Sequence, residues 1–346
     1  MRCSARSSST AWSRCAWAWG RAPPASSSGS DVRAVLARKE KKETSVRQET
    51  LQLADGTQLA LRIYEPIGPQ RASVVIGGAM GVRQAFYEPF ARWLTREGIC
   101  VWTFDYRGSG DSRPATAGAS LRGFEADLFD WARDYEAVID AAKAARSDRP
   151  LYLLGHSLGA QLPGFLERPQ QVDGLIGIAA GSGYWRENAP RLKRSILYFW
   201  FFLVPLATRL WGYFPGRKFR KVGDLPRGVI LQWRRWCLNP RYSMGAEGDA
   251  AVRSYGRVRF PVLALSMTDD ELMTLEGTQS LLSFYAGAPR AMQRISPADV
   301  QARRIGHFGF FREQFSPSLW PRLADSLHRL AALTSAAPAG VPHTTA

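Results

Sequence analysis

The chain has 346 residues, 45% of them hydrophobic, which is enough for a substantial core in one large domain or two small ones. Its formal charge of +16 first suggests a nucleic acid or an anionic membrane surface as partner. The basic residues concentrate at the start of the chain and between Arg186 and Arg235, without a Walker-type loop, zinc spacing or RNA-binding aromatic motif. The sequence therefore argues against a nucleic-acid partner, a metal site or a bound cofactor.

Residues 1–43 are expected to lie outside the fold, as a disordered or leader extension. The first 30 residues are rich in Ser, Arg, Ala and Trp, and the first acidic residue is Asp31. A transit peptide has this composition, and so does an upstream stretch translated from a misassigned start codon; both interpretations stay open. The four cysteines form no C-x-x-C pair, which suits a reducing compartment, so we expect a cytoplasmic protein.

The ordered part alternates short apolar strands with helices. It begins with a hairpin whose strands, 46–53 and 58–64, are joined by an Asp-Gly turn. Further strands are predicted at 72–76, 100–104, 151–154, 174–180, 260–265 and 292–295, and helices at 85–96, 124–145 and 319–333. Such a pattern specifies an α/β fold with a mostly parallel sheet covered on both faces and the antiparallel hairpin at one edge.

The alternation stops between Gly183 and Tyr255. We therefore expect a core in two parts, 44–182 and 256–334, interrupted by an insertion at 183–255 and followed by a disordered tail at 335–346. The apolar run Ser195 to Leu206 in the insertion is shorter than the ~20 residues that a membrane span needs. We favour a helical lid over a pocket; a peripheral membrane contact through the same aromatics and their flanking arginines, and a spanning helix, are the alternatives.

A nucleophile is predicted at Ser157, where a short apolar run ends in Gly155-His-Ser-Leu-Gly159. A nucleophilic serine needs a sharp strand-to-helix turn that lifts its hydroxyl out of the sheet, and flanking glycines leave room for close backbone approach. The helix expected after the turn would direct its free N–H groups and positive end toward Ser157.

A serine hydroxyl becomes a good nucleophile when a base removes its proton, and an acid must orient that base. Of the four histidines, His307 alone follows a late strand in a loop between glycines, so it is the predicted base; His156 adjoins the serine but should point elsewhere. The acid is expected after a strand that precedes His307. There we favour Asp269, with Asp270 as the alternative and Glu271 third.

Acyl transfer also needs two hydrogen-bond donors that stabilise the oxyanion of the tetrahedral intermediate. The turn at residues 155–159, which we call the elbow, is expected to supply the backbone N–H of Leu158. The glycine-rich loop Gly77–Gly81 is expected to supply the second donor, the backbone N–H of Ala79. Arg107 and Asp111, in the polar loop after the fourth strand, are interpreted as loop-fixing residues. Candidate substrate contacts are apolar and aromatic: Met80, Trp200, Trp233 and Trp236.

This order of elements resembles the α/β-hydrolase family over most of the chain. Three features carry the resemblance: the elbow at 155–159, the loop at 104–112, and the order of Ser157, Asp269 and His307. The sequence is similar in particular to the serine-aminopeptidase-like and lysophospholipase-like branch, whose members carry a cap inserted after the sixth strand. The resemblance implies an eight-stranded, mostly parallel sheet with helices on both faces and a helical lid over a hydrolase pocket.

By this resemblance, the protein is expected to cleave a small-molecule carboxylic ester or thioester with an apolar part through an acyl-enzyme on Ser157. Serine at this position disfavours dehalogenase and epoxide hydrolase chemistry, since those relatives use aspartate. The chain departs from the family pattern at Gly77-Gly78, where many members have His-Gly, and at Met273, where proline is frequent. An acyltransferase, an aminopeptidase-type hydrolase and a non-catalytic, membrane-associated module on the same fold stay open as alternatives.

Overall fold

A computed structural model of the chain describes residues 45–114, 120–219, 222–323, 325–327 and 330. Its strands, in chain order, are β1 (Val46–Gln52), β2 (Gln58–Tyr64), β3 (Ala72–Gly77), β4 (Ile99–Phe104), β5 (Leu151–His156), β6 (Gly174–Ile178), β7 (Val262–Met267) and β8 (Arg290–Ile295). They form one sheet in the spatial order β1-β2-β4-β3-β5-β6-β7-β8. The pairs β1–β2 and β2–β4 are antiparallel and all others parallel, so the predicted sheet with its edge hairpin is confirmed.

The α-helices lie between the strands and in the long stretch from β6 to β7. They are α1 (Glu88–Arg96), α2 (Leu128–Ala145), α3 (Lys193–Tyr198), α4 (Val204–Trp211), α5 (Gly216–Phe219), α6 (Arg227–Leu238), α7 (Tyr242–Ala246), α8 (Asp249–Gly256), α9 (Leu275–Phe284) and α10 (Gly306–Gly309). The described residues from 321 to 330 are also helical. The extension and tail expected at 1–43 and 335–346 lie outside the described residues.

The central strands are mostly apolar because each supplies two separate cores. In β3, Val75 belongs to the core on one face of the sheet, while Val74 and Ile76 belong to the core on the other. Side chains alternate between faces along a strand, so in a strand covered on both sides most positions on either face are apolar. The first core contains Trp131 of α2, and the second contains Phe90 of α1.

Between β6 and β7 the described residues contribute no strand to the sheet. The π-helical segment Phe199–Leu203 joins α3 to α4, so residues 193–211 form one uninterrupted helical stretch. No helix in the part of the chain that the structure describes combines the length and the apolar character that crossing a bilayer requires.

Candidate active site

Ser157 lies at a sharp turn directly after β5, with a backbone φ of 54°. Left-handed backbone at a residue other than glycine costs on the order of 1–3 kcal/mol and persists only where the surroundings impose it. Here a Cβ on Gly155 would lie 2.4 Å from the amide nitrogen of Ala160, and one on Gly159 would lie 2.0 Å from the carbonyl oxygen of Gly77. The two glycines of the elbow therefore permit the close backbone approach that the sequence predicts.

The segment after the elbow differs from the predicted helix. It consists of two 3₁₀ helices, Ser157–Ala160 and Leu162–Phe165, rather than an α-helix. Pro163 explains the difference, because it has no N–H to donate and its ring clashes with an α-helical turn before it. The dipole of a long helix is thus absent at Ser157, but the N–H of Leu158, in the first turn of a short helix, has no acceptor within that helix.

The acid in contact with the predicted base is Asp270. Its Oδ2 accepts a hydrogen bond of 2.8 Å from Nδ1 of His307, and both side chains are buried. The other carboxylate oxygen, Oδ1, accepts the N–H groups of Leu272 and Met273, each at 2.9 Å. With Nδ1 carrying its hydrogen toward Asp270, the Nε2 of a neutral His307 is free to accept a proton.

The preferred acid, Asp269, is directed elsewhere. Its carboxylate accepts the backbone N–H of Ile305 at 2.9 Å and that of Gly306 at 3.1 Å. Gly306 has a φ of 61°, so Asp269 fixes a left-handed turn immediately before His307. The contact with the imidazole thus belongs to the alternative acid, because the backbone directs these adjacent carboxylates to different targets.

A buried chain of hydrogen bonds links three loops around the elbow. The N–H of Ala79 donates to the Tyr87 hydroxyl at 2.9 Å, this hydroxyl donates to Nδ1 of His156 at 2.9 Å, and Nε2 of His156 donates to the carbonyl oxygen of His307 at 3.0 Å. A carbonyl oxygen only accepts, so Nε2 carries the hydrogen of the neutral ring. Burial, followed by the neighbouring His307, holds the pKa of His156 well below its usual 6.5.

These hydrogen bonds point to a different backbone N–H as the oxyanion donor. The N–H of Ala79, the expected donor, is already engaged by the Tyr87 hydroxyl. The next N–H, that of Met80, makes no hydrogen bond to any other described residue. Sequence reasoning missed Tyr87 because its only signal was a position at the start of a helix, and nothing local indicates that its hydroxyl reaches the loop after β3.

The tryptophans expected at the substrate mostly build the core. Trp236 is fully buried, stacks on Phe165 with ring centroids 5.4 Å apart, and donates its indole N–H to Glu247. Trp200 is also buried and meets the half-buried Trp233 edge to face at 5.0 Å. Trp236 is therefore a packing residue, since its helix α6 turns this face inward.

The loop after β4 is held by ion pairs. Arg107 is buried and contacts Asp134 through its backbone N–H and its guanidinium, with a further contact to Asp55 at 2.9 Å. Asp111 pairs with two arginines, Arg62 at 3.1 Å and Arg83 at 2.7 Å. These contacts agree with the loop-fixing interpretation of Arg107 and Asp111.

Comparisons of the sequence with known proteins find similarity in the middle of the chain. Residues 68–223 match the family model described as serine aminopeptidase, S33. Human monoglyceride lipase is 28% identical over 128 residues, which cover 36% of this chain and 40% of that protein. Lysophosphatidylserine lipase ABHD12 of Gallus gallus is 35% identical over 129 residues, 33% of this chain and 30% of that protein. The chain thus spans less than half the length of these relatives.

Solved structures resemble the whole described fold. A soluble variant of monoglyceride lipase from Saccharomyces cerevisiae has a TM-score of 0.60 at 14% identity, covering 84% of this chain and 96% of that one. Mouse alpha/beta hydrolase domain-containing protein 10 has a TM-score of 0.52 at 18% identity, covering 82% and 99%. At these identities the likeness shows the fold. The chain therefore has the α/β-hydrolase fold, and its residues 68–223 are similar to the serine aminopeptidase, S33, family.

Proposed function

We propose that this protein is a serine hydrolase with Ser157 as nucleophile, His307 as general base and Asp270 as the acid that orients it. The observation that carries the proposal is the buried Asp270–His307 pair. The backbone of that histidine is hydrogen-bonded to His156, the residue next to the strained serine. A nucleophile, a general base and an acid that orients the base are the groups that acyl transfer requires, and this supports the proposal.

In the proposed mechanism, Nε2 of His307 takes the proton of the Ser157 hydroxyl as Oγ attacks the acyl carbon of an ester or thioester. Asp270 stabilises the imidazolium that forms, which then protonates the leaving alcohol or thiol. The N–H groups of Leu158 and Met80 would bind the oxyanion, each contributing about 3–4 kcal/mol to the transition state. Water activated by His307 then hydrolyses the acyl-enzyme.

We assign residues 183–255 the role of a lid over an apolar substrate. Two observations support this. Gly81, in the loop that carries the proposed oxyanion donor, lies so close to Gly223 that a Cβ on it would be 2.6 Å from the Gly223 nitrogen. Trp200 and Phe214 of the segment also share one apolar core with Met80 and Leu158. The curated relatives are named monoglyceride lipase and lysophosphatidylserine lipase, which favours an ester with a long apolar acyl group.

Labelling with a fluorophosphonate probe tests the nucleophile. The wild-type protein and a Ser195→Ala control should be labelled, because the Ser195 hydroxyl donates to the carbonyl oxygen of Leu192, just before its helix, and has no base beside it in the described part of the chain. Ser157→Ala should not be labelled, since the probe forms its bond with the activated hydroxyl. A wild-type protein that is folded by circular dichroism yet unlabelled would refute the proposal and favour a non-catalytic module on the same fold.

Substrate panels separate the remaining alternatives. Esters of increasing acyl length should show kcat/KM rising with chain length, because a longer chain buries more apolar surface. The family model is described as a serine aminopeptidase, so aminoacyl amides belong in the same assay. Faster turnover of these amides would replace the esterase assignment with a peptidase, and transfer of the acyl group to added alcohols in preference to water would indicate an acyltransferase.

A further inference from the structure

One helical face carries the most exposed apolar side chains in the described part of the chain. Five large hydrophobic residues on the stretch 193–211 are 51 to 66% exposed: Tyr198, Phe201, Phe202, Leu206 and Leu210. The other exposed large hydrophobic residues, Val252, Leu275 and Phe308, are 39 to 41% exposed and lie on three different elements. We call the group of five the apolar face. Contiguous exposure of this kind marks an interaction surface, whereas isolated apolar residues do not.

The two sides of this helix have different environments. Trp200, Val204 and Ala207 are buried against the core and hold the helix in place. Four residues of the apolar face follow one another at intervals of four, from Tyr198 to Leu210, so they form one row on the opposite side. The apolar face is therefore fixed in an outward orientation by the packing of its own helix.

The charges around the apolar face have one sign. Residues 188–223 contain eight Lys or Arg and no Asp or Glu. Arg191 and Arg194 precede the row and Arg209 lies within its last turn, and all three are exposed. None of these three forms an ion pair with another described residue. An exposed apolar row with unpaired cations at both ends matches the surface of an anionic bilayer, which offers apolar acyl chains beneath negative head groups.

We propose that the apolar face is a docking surface for anionic lipid membranes, with Tyr198, Phe202, Leu206 and Leu210 entering the interface and Arg191, Arg194 and Arg209 contacting the head groups. A second copy of the chain is a poorer fit, because a two-fold contact through this face would bring like charges together. The proposal does not depend on the proposed catalytic site, since none of these side chains takes part in it.

Co-sedimentation with vesicles tests the proposal. The wild-type protein should sediment with vesicles of mixed phosphatidylcholine and phosphatidylglycerol, bind pure phosphatidylcholine far less, and be released by salt. The double variant Phe202→Ser/Leu206→Ser should bind the mixed vesicles at least about tenfold less tightly. Arg191→Gln/Arg194→Gln should weaken binding to the mixed vesicles and flatten its salt dependence. Thermal unfolding and fluorophosphonate labelling in solution should be unchanged in both variants.

Matched controls lie on α8, where Val252 is 41% exposed and Arg253 is exposed beside it. Val252→Ser and Arg253→Gln should bind vesicles as the wild-type protein does. Equal binding to neutral and anionic vesicles, or equal losses from the controls, would overturn the proposal. A concentration-dependent dimer that Phe202→Ser/Leu206→Ser converts to a monomer would instead assign the apolar face to a second copy.

Discussion

Adjacent carboxylates hold the histidine loop at two different points. Asp270 binds the imidazole of His307, while Asp269 binds the backbone N–H groups of the two residues before it. One carboxylate therefore determines the tautomer of the ring, and the other determines the path of the chain that carries it. These are separable effects on activity and on stability.

Substitutions at the two aspartates should separate the effect on activity from the effect on stability. In Asp270→Asn the amide can donate to Nδ1 and hold the wrong tautomer, so kcat/KM should fall by about three to four orders of magnitude. Asp269→Asn keeps the ring contact, and we expect it to lower the free energy of unfolding by about 1–3 kcal/mol through weakened acceptors for buried N–H groups. Steady-state kinetics and urea unfolding of both variants measure this. A larger kinetic loss from Asp269→Asn would identify Asp269 as the acid.

The buried His156 should make stability depend on pH. Its pKa is held well below 6.5 in the native state, so it stays neutral there, while in the unfolded chain it binds a proton as the pH falls through about 6.5. The unfolded state then binds more protons, and stability falls with decreasing pH by up to about 1.4 kcal/mol per unit for this one group. Above the pKa of the unfolded chain, His156 is neutral in both states and adds no pH dependence to the free energy of unfolding.

The variant His156→Gln tests this, because glutamine can still donate to the His307 carbonyl but does not titrate. Urea unfolding at about pH 7 and about pH 5 should show a slope smaller by close to one proton in the variant than in the wild-type protein. Identical slopes would mean that His156 is charged in the native state or that other groups dominate the transition.

At the level of elements, Gly159 of the elbow is in close backbone contact with Gly77, the last residue of β3 before the loop that carries Met80. A Cβ on Gly159 would lie 2.0 Å from the carbonyl oxygen of Gly77, which is far inside van der Waals contact. The loop that carries Met80 can thus approach Ser157 only while position 159 has no side chain. This spacing determines where the proposed oxyanion donors lie relative to the nucleophile.

Gly159→Ala should therefore reduce both stability and activity. We expect a loss of at least about 1–3 kcal/mol in the free energy of unfolding, as for overpacked cores, because backbone atoms must move apart. The matched control is Gly256→Ala, where no atom lies within 4 Å of the added Cβ. Thermal unfolding and ester hydrolysis of the two variants provide the comparison, and a fully active Gly159→Ala enzyme would show that the spacing is not required.

The sequence predicted each strand to within a few residues because buried strands between glycines and helices have a strong local pattern. It also located His307 and the acidic loop. It favoured Asp269 over Asp270, whereas Asp270 contacts the ring, since which carboxylate faces the ring depends on a backbone turn set by contacts far along the chain. The missing α-helix after the elbow had a local signal in Pro163, whereas the hydrogen bond from Ala79 to Tyr87 depends on tertiary structure alone.

In the molecule as a whole, the sheet continues across the stretch 183–255. Leu175 and Ile176 of β6 pair directly with Val262 and Leu263 of β7, and α6 and α8 pack against the same core as α2. Both halves of the chain therefore share one core, and the helices between β6 and β7 are joined to it on both sides.

One backbone cut in this stretch should leave the protein assembled. Limited tryptic cleavage near the exposed Arg217 or Lys218 should give two fragments on a denaturing gel, but a single species of intact size by gel filtration, because strand pairing and core packing hold them together. Fragments that separate without denaturant would show that the two halves do not share a stable core.

The hydrogen bonds from Ala79 through Tyr87 and His156 to His307 have a consequence for how such sequences diverge. Tyr87 and His156 each satisfy two buried partners at once, so replacing either one alone by an apolar residue leaves a buried polar group of the other without a partner. Substitutions at the two positions are then tolerated best when they occur together. Among relatives we expect the tyrosine and the histidine to covary, appearing or disappearing together, even though 69 positions separate them.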